Sequence, residues 1–167
     1  MNWDAIGAIG EIAGALVVIF TIAYLARQVK EANLYASAEA EREVQDRWNS
    51  LLSIWGSDSR AREVIRKGHR SFFQLSDDEK VIYHCQIGML LNHFEMVLRM
   101  HEKRLISDDV KNTYSGLNLA TLSTPGGREF WEHELVNLSA PPLSREYINE
   151  NLDKADYSGF PWWTESD

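Results

Sequence analysis

WDAIGAIGEIAGALVVIFTIAYLARQVK, residues 3–30, is the stretch whose reading decides the architecture. Between Ala5 and Ala26 its only charged side chain is Glu11. Wound as an α-helix at about 1.5 Å per residue, this run reaches roughly 33 Å, enough to cross a hydrocarbon core of about 30 Å. Trp3 and Tyr24 bracket it, where amphipathic rings favour the two membrane interfaces, and Arg27 and Lys30 follow at one flank. From Ile12 to Ala26 the run is apolar on all sides rather than striped, unlike a helix lying on a membrane surface. The expectation is a transmembrane helix over residues 1–28.

Two other readings compete with this one. A cleaved signal peptide wants a basic start, and here Asp4 precedes the run with no Lys or Arg before Arg27. Ala36-Ser37-Ala38 has the form of a cleavage tripeptide, but Arg27, Lys30 and Glu31 separate it from the apolar run. A buried core helix of a soluble protein is the plainer alternative, and the length and aromatic brackets speak against it. The positive flank places the N-terminus outside and the long C-terminal part in the cytoplasm.

At helical spacing Asp4, Gly7, Ala8, Glu11, Gly14, Ala15, Val18 and Thr21 share one stripe. Gly10 and Gly14 also form a small-xxx-small pair, which lets helix backbones approach closely in lipid. A lone helix would show Glu11 to acyl chains at a cost of a few kcal/mol, and self-association hides it. The stripe therefore predicts a parallel homo-oligomer. Its carboxylates either serve as protonated, hydrogen-bonded glue or line a cation pathway as a ring at Glu11 with Asp4 at the mouth.

Outward from this stretch, no glycine lies between Gly14 and Gly56 and no proline precedes Pro125, so the helix is expected to run on to about Trp55. Residues 29–56 read as a stalk helix entering a domain, whose core begins where Val44, Trp48, Leu51, Leu52 and Trp55 recur at helical spacing. Residues 57–153 read as an all-α cytoplasmic bundle. Asp58 or Ser59 caps a short helix stopped by Gly68, and the capping box Ser76-x-x-Glu79 opens a long one to about Arg104. Ser107 caps the next, to about Leu119, and Thr124-Pro125 opens another through GGREFWEHELVNL. Pro141-Pro142 ends that helix, and Ser144 caps a last one to about Leu152. The aromatic tail, 154–167, with YSGFPWWTESD, is expected to dock on the domain or on a neighbouring subunit.

The opening WDAIGAIGEIAGALVVIFTIAYLARQV, the tryptophan-bearing helix after it, and the late TPGGREFW and PPLSREYI resemble a family of small uncharacterised bacterial membrane proteins. The resemblance implies an N-terminal single span and a helical C-terminal domain. It carries no activity, cofactor or catalytic residue.

Charge and composition narrow the function. A formal charge of −8 argues against a nucleic-acid partner, and the single cysteine, Cys85, rules out an intrachain disulfide. His84, His93 and His101 share one predicted helix without metal-ligand spacing, and Trp131-Glu132-His133-Glu134 reads as a solvated helix face. His101-Glu102-Lys103-Arg104 is no zinc signature, because Leu105 stands where the second histidine would be. Cys85 is expected to be buried beside Ile82 and Met89. Thr124–Arg128 offers a helix start and an arginine to an anion, although packing is the better reading. Arg60, Arg62, Arg66, Lys67, His69 and Arg70 form one basic cluster, facing anionic lipid or the acidic stalk. The leading expectation is a non-enzymatic, homo-oligomeric scaffold or partner-binding protein of the bacterial inner membrane, with no cofactor, metal or catalytic residue. A cation channel with a Glu11 ring comes second and a membrane-anchored enzyme third.

Overall fold

The computed structural model describes residues 3–133 and 139–155, apart from the side chains of residues 4–6. Most of the aromatic tail, Trp162 and Trp163 included, and the Asp4 side chain therefore lie outside the described residues. The described chain is all-α. Helices α1 (Trp3–Ser57), α2 (Ser59–Arg70), α3 (Asp77–Glu102), α4 (Asp108–Ser123), α5 (Pro125–Glu132) and α6 (Pro142–Asn151) precede a 3-10 turn at Leu152–Lys154. No strand occurs among the described residues. The chain forms two compact units, Met1–Glu39 and Ala40–Asp167.

Helix starts follow the local chemistry of the sequence. Asp58 accepts from the backbone N–H groups of Arg60 and Ala61, and Ser76 and Glu79 complete their capping box reciprocally. Ser107 accepts from the Val110 N–H, and Thr124 accepts from Gly127 with Pro125 in the first turn. Ends are less obedient. α3 closes at Glu102, where Arg104 adopts φ 59° and the Leu105 N–H reaches back to the Met100 carbonyl at 3.0 Å. This is a Schellman closure made by arginine where glycine would be unstrained. α4 runs on past Leu119 to Ser123, because Leu119, Ala120 and Leu122 are still core residues. α5 ends at Glu132, inside the stretch expected to be helical throughout.

Gly68 is no helix stop. α2 continues to Arg70, and the glycine is there for packing, since a Cβ at Gly68 would lie 2.3 Å from the Tyr83 ring. A Cβ at Gly126 would lie 1.7 Å from the Gly68 carbonyl oxygen, so the two glycines let α2 and α5 touch backbone to backbone. Ser144 is no cap either. It lies inside α6, fully buried, and both its N–H and its hydroxyl donate to Glu95 of α3 at 2.9 and 3.2 Å. An acid from a neighbouring helix thus does the work of an N-cap, which spacing along α6 could not reveal.

α3 is the hub, burying Tyr83, Ile87, Leu90, Leu91, Phe94, Val97 and Leu98. Phe130 meets Phe72 and Tyr83 edge-to-face, each with centroids 5.3 Å apart, and Phe94 meets Tyr147 likewise. From α1, Ala40 and Val44 are buried and Trp48, Leu51 and Trp55 half-buried, while Leu52 points outward.

Gly126→Ala should cost roughly 2 kcal/mol or more, because backbone rather than a movable side chain blocks the new methyl. Gly88→Ala, where a Cβ meets nothing, should be neutral or stabilising. Arg104→Gly should stabilise by up to about 1 kcal/mol by relieving the left-handed conformation. Urea unfolding followed by far-UV circular dichroism measures all three.

Candidate functional site

The N-terminal half of α1 is the first candidate. It is long and apolar enough to cross a membrane, and the described residues bury none of its most apolar window. Ile9, Ile12, Leu16, Val17, Ile19, Phe20 and Leu25 are all exposed, as are Trp3 and Tyr24 at the ends. Within the stripe, Gly7, Ala8, Glu11, Gly14, Ala15, Val18 and Thr21 are exposed too. A Cβ added at Gly7, Gly10 or Gly14 meets no atom within 4 Å, so nothing among the described residues asks for glycine there. The Thr21 hydroxyl is satisfied by the Val17 carbonyl at 2.7 Å. After the apolar run, Arg27 pairs with Glu31 at 2.8 Å and Gln28 donates to the Tyr24 hydroxyl at 2.6 Å. Lys30 is exposed.

The domain's histidines fall into separate environments. His69 is fully buried, its Nδ1 3.0 Å from the Tyr83 hydroxyl and 3.3 Å from Thr124 Oγ1. Burial lowers its pKa to about 4 and, with the nearby Glu129 charge, raises that of Tyr83. His93 is bonded to the Val44 carbonyl and lies against Trp48 and Tyr114. His101 meets Asp108 at 2.7 Å across the α3–α4 turn. Among the described residues, no three of His, Cys, Asp and Glu converge as metal ligands.

His84 and His133 sit at the edge of a cleft of about 400 Å³ on the outer face of α3, lined by Phe72, Phe73, Lys80, Val81 and Cys85. A second hollow of about 440 Å³ shares His84 and Cys85 and extends along Met89, Asn92 and Ala140. Cys85 is therefore exposed, not buried as expected. On α3 it falls on the outward arc, next to His84 and opposite the inward-facing Tyr83, Ile87 and Leu90. Among the described residues the exposed lining is mostly apolar, and Lys80, His84 and His133 bring its basic groups.

The anion candidate at Thr124–Arg128 is already engaged. Arg128 donates to Asp153 at 3.0 Å and to the Leu152 carbonyl at 3.3 Å, joining α5 to the 3-10 turn. Within the basic cluster Lys67 grips Glu79 at 2.8 Å, while on α1 Glu43 pairs with Arg47. That lysine, together with the Ser76 N–H, pulls the Glu79 pKa down to about 2. Arg62 closes the end of α1 by donating to the Gly56 carbonyl. Glu95, which spacing did not single out, pairs with Arg99 at 2.7 Å besides its bonds to Ser144.

Compared with protein-family models, with curated proteins and with solved structures, the chain matches none.

Acid should weaken the domain in two windows. His69 stays neutral when folded and accepts a proton when unfolded. Its contribution is whole above about pH 6.5 and shrinks toward pH 4, by roughly 3 kcal/mol in all. The Glu79 contribution is present above its ordinary carboxylate range and is lost as pH falls through that range toward 2. Urea midpoints measured from about pH 7 to pH 4 should fall, and more gently in His69→Gln than in the parent chain.

Proposed function

We propose that this protein is a single-pass membrane protein of the bacterial inner membrane, belonging with the small membrane proteins its opening resembles. Residues 5–26 span the bilayer with the N-terminus outside, and the helical domain lies in the cytoplasm as a homo-oligomeric scaffold or partner-binding module. One observation carries the reading: a run long enough to cross a bilayer, whose apolar side chains from Ile9 to Leu25 are left exposed among the described residues. In water that surface far exceeds the apolar patch a monomer tolerates, and lipid removes the penalty.

Self-association rests on the stripe. Glycines that serve no packing within the chain, on the side of α1 that also carries Glu11, fit a helix–helix interface in which carboxyl groups are shared between copies. The apolar cleft on α3 gives the domain a surface for a protein partner. With Glu11 at an inward position, a cation path along the oligomer axis is the second reading, and flux decides between the two.

The protein should remain in the membrane fraction after sodium carbonate washing, and external protease should leave the domain untouched in sealed right-side-out vesicles. Extraction by carbonate overturns the membrane reading. In native mass spectrometry the chain should appear as one defined oligomer, which Glu11→Gln retains and Gly14→Leu shifts toward smaller species by about tenfold or more in affinity. A single uncomplexed chain overturns self-association. Cation flux into liposomes that Glu11→Gln alters would favour the channel, and none from a well-assembled oligomer would remove it.

A further inference from the structure

Residues 40–57 of α1 continue the same helix that carries the apolar run, yet they hold to the rest of the domain by little. Ala40 and Val44 are the only fully buried side chains of that section, Trp48, Leu51 and Trp55 are half-buried, and Leu52 and Ile54 are exposed. Besides the Arg62 bond to the Gly56 carbonyl, one polar tie is His93 of α3, whose Nε2 lies 3.1 Å from the Val44 carbonyl oxygen. Its ring sits 5.7 Å from Trp48 and 4.8 Å from Tyr114 of α4.

We propose that His93 is a proton-sensitive latch, whose neutral ring holds residues 40–57 against α3 and α4 and whose protonation releases them while the rest of the bundle stays folded. A carbonyl can only accept, so the bond to Val44 requires the ring proton on Nε2. In the neutral ring Nδ1 is then bare. It is sealed from solvent and has no hydrogen-bond partner among the described residues. Protonation puts an N–H on Nδ1, facing no acceptor, and such a buried donor costs its full desolvation. Separation of the α1 section from α3 lets water reach that N–H.

The charged surroundings offer no relief. From α1, Arg47 adds a cation that opposes a second positive charge, while Glu43 is held by Arg47 itself. α4 contributes Tyr114, a phenol kept neutral by burial. On α3 itself, Glu95 is committed to Ser144 and Arg99. Burial and Arg47 together hold the His93 pKa below the ordinary histidine value, although the Val44 bond acts the other way. The release therefore falls on the acid side of neutrality. His69 sits inside the α2–α3–α4 packing, bonded to Tyr83 and Thr124, so its protonation loosens the bundle rather than this joint.

Hydrogen exchange on the full chain, in detergent at about pH 7.5 and about pH 5 and corrected for intrinsic exchange chemistry, tests the latch. Amides of residues 40–57 should lose protection by about tenfold or more on acidification, while those of α3 and α5 hold theirs. His93→Gln keeps a donor for the Val44 carbonyl but cannot titrate, and its residues 40–57 should show no such loss. A flat wild-type response, or an equal response in His93→Gln, overturns the proposal. Should the variant fail to fold, the wild-type His93 Cε1–H resonance decides. Its titration midpoint must coincide with the loss of protection at residues 40–57. A ring that stays neutral throughout, or that titrates with protection intact, overturns the latch as surely.

Discussion

A helix buried on most of its circumference cannot leave its polar side chains to water, and α3 is such a helix. Between Tyr83 and Leu98 it faces core on several sides, and it carries a phenol, an imidazole and a carboxylate along that length. Each finds its partner on a different neighbour. Tyr83 meets His69 of α2, His93 meets the Val44 carbonyl of α1, and Glu95 meets Ser144 of α6. Apolar contacts between helices tolerate sliding and rotation, whereas an unmet buried polar group costs its desolvation. These three pairs therefore select one arrangement of the helices around α3 out of the many that would bury similar area.

Glycine marks the contrast between the two compact units of the chain. At Gly68 and Gly126 the domain uses the missing side chain to bring α2 and α5 into backbone contact beneath the Tyr83 ring, and Gly127 is pressed against the Thr121 carbonyl. At Gly7, Gly10 and Gly14 the same residue faces open space. A glycine in a helix interior weakens the helix by up to about 1 kcal/mol against alanine. In the domain, intrachain packing offsets that cost. In the N-terminal helix nothing among the described residues does, and the same holds for the exposed leucines, isoleucines and valines beside those glycines.

The polar features of the domain surface are largely consumed by the fold. Arg128 and Thr124, an anion candidate for which packing is the better reading by sequence, hold the 3-10 turn and the start of α5. Lys67, from the basic cluster, locks α2 to the α3 capping box through Glu79. Among the described residues an apolar cleft stays open around Phe73, Val81 and Cys85 on the outer face of α3, beside a second hollow along Met89 and Ala140.

The sequence by itself determined what depends on neighbours a few residues away. The long helix found from Trp3 to Ser57, a cap at Asp58 or Ser59, the caps at Ser76, Ser107 and Thr124, and the all-α class could be read directly. All of these are set by backbone propensity and by hydrogen bonds spanning three or four residues. The tertiary structure alone decided the roles that depend on another helix. Gly68 looks like a stop until Gly126 and Tyr83 press against it. Ser144 looks like a cap until Glu95 claims it, and Cys85 looks buried until the arc of α3 it occupies is found uncovered. Two helices meet at one rotation and one axial position among many that a hydrophobic pattern permits. That choice is made by side chains far apart in the chain, which is why no local spacing records it.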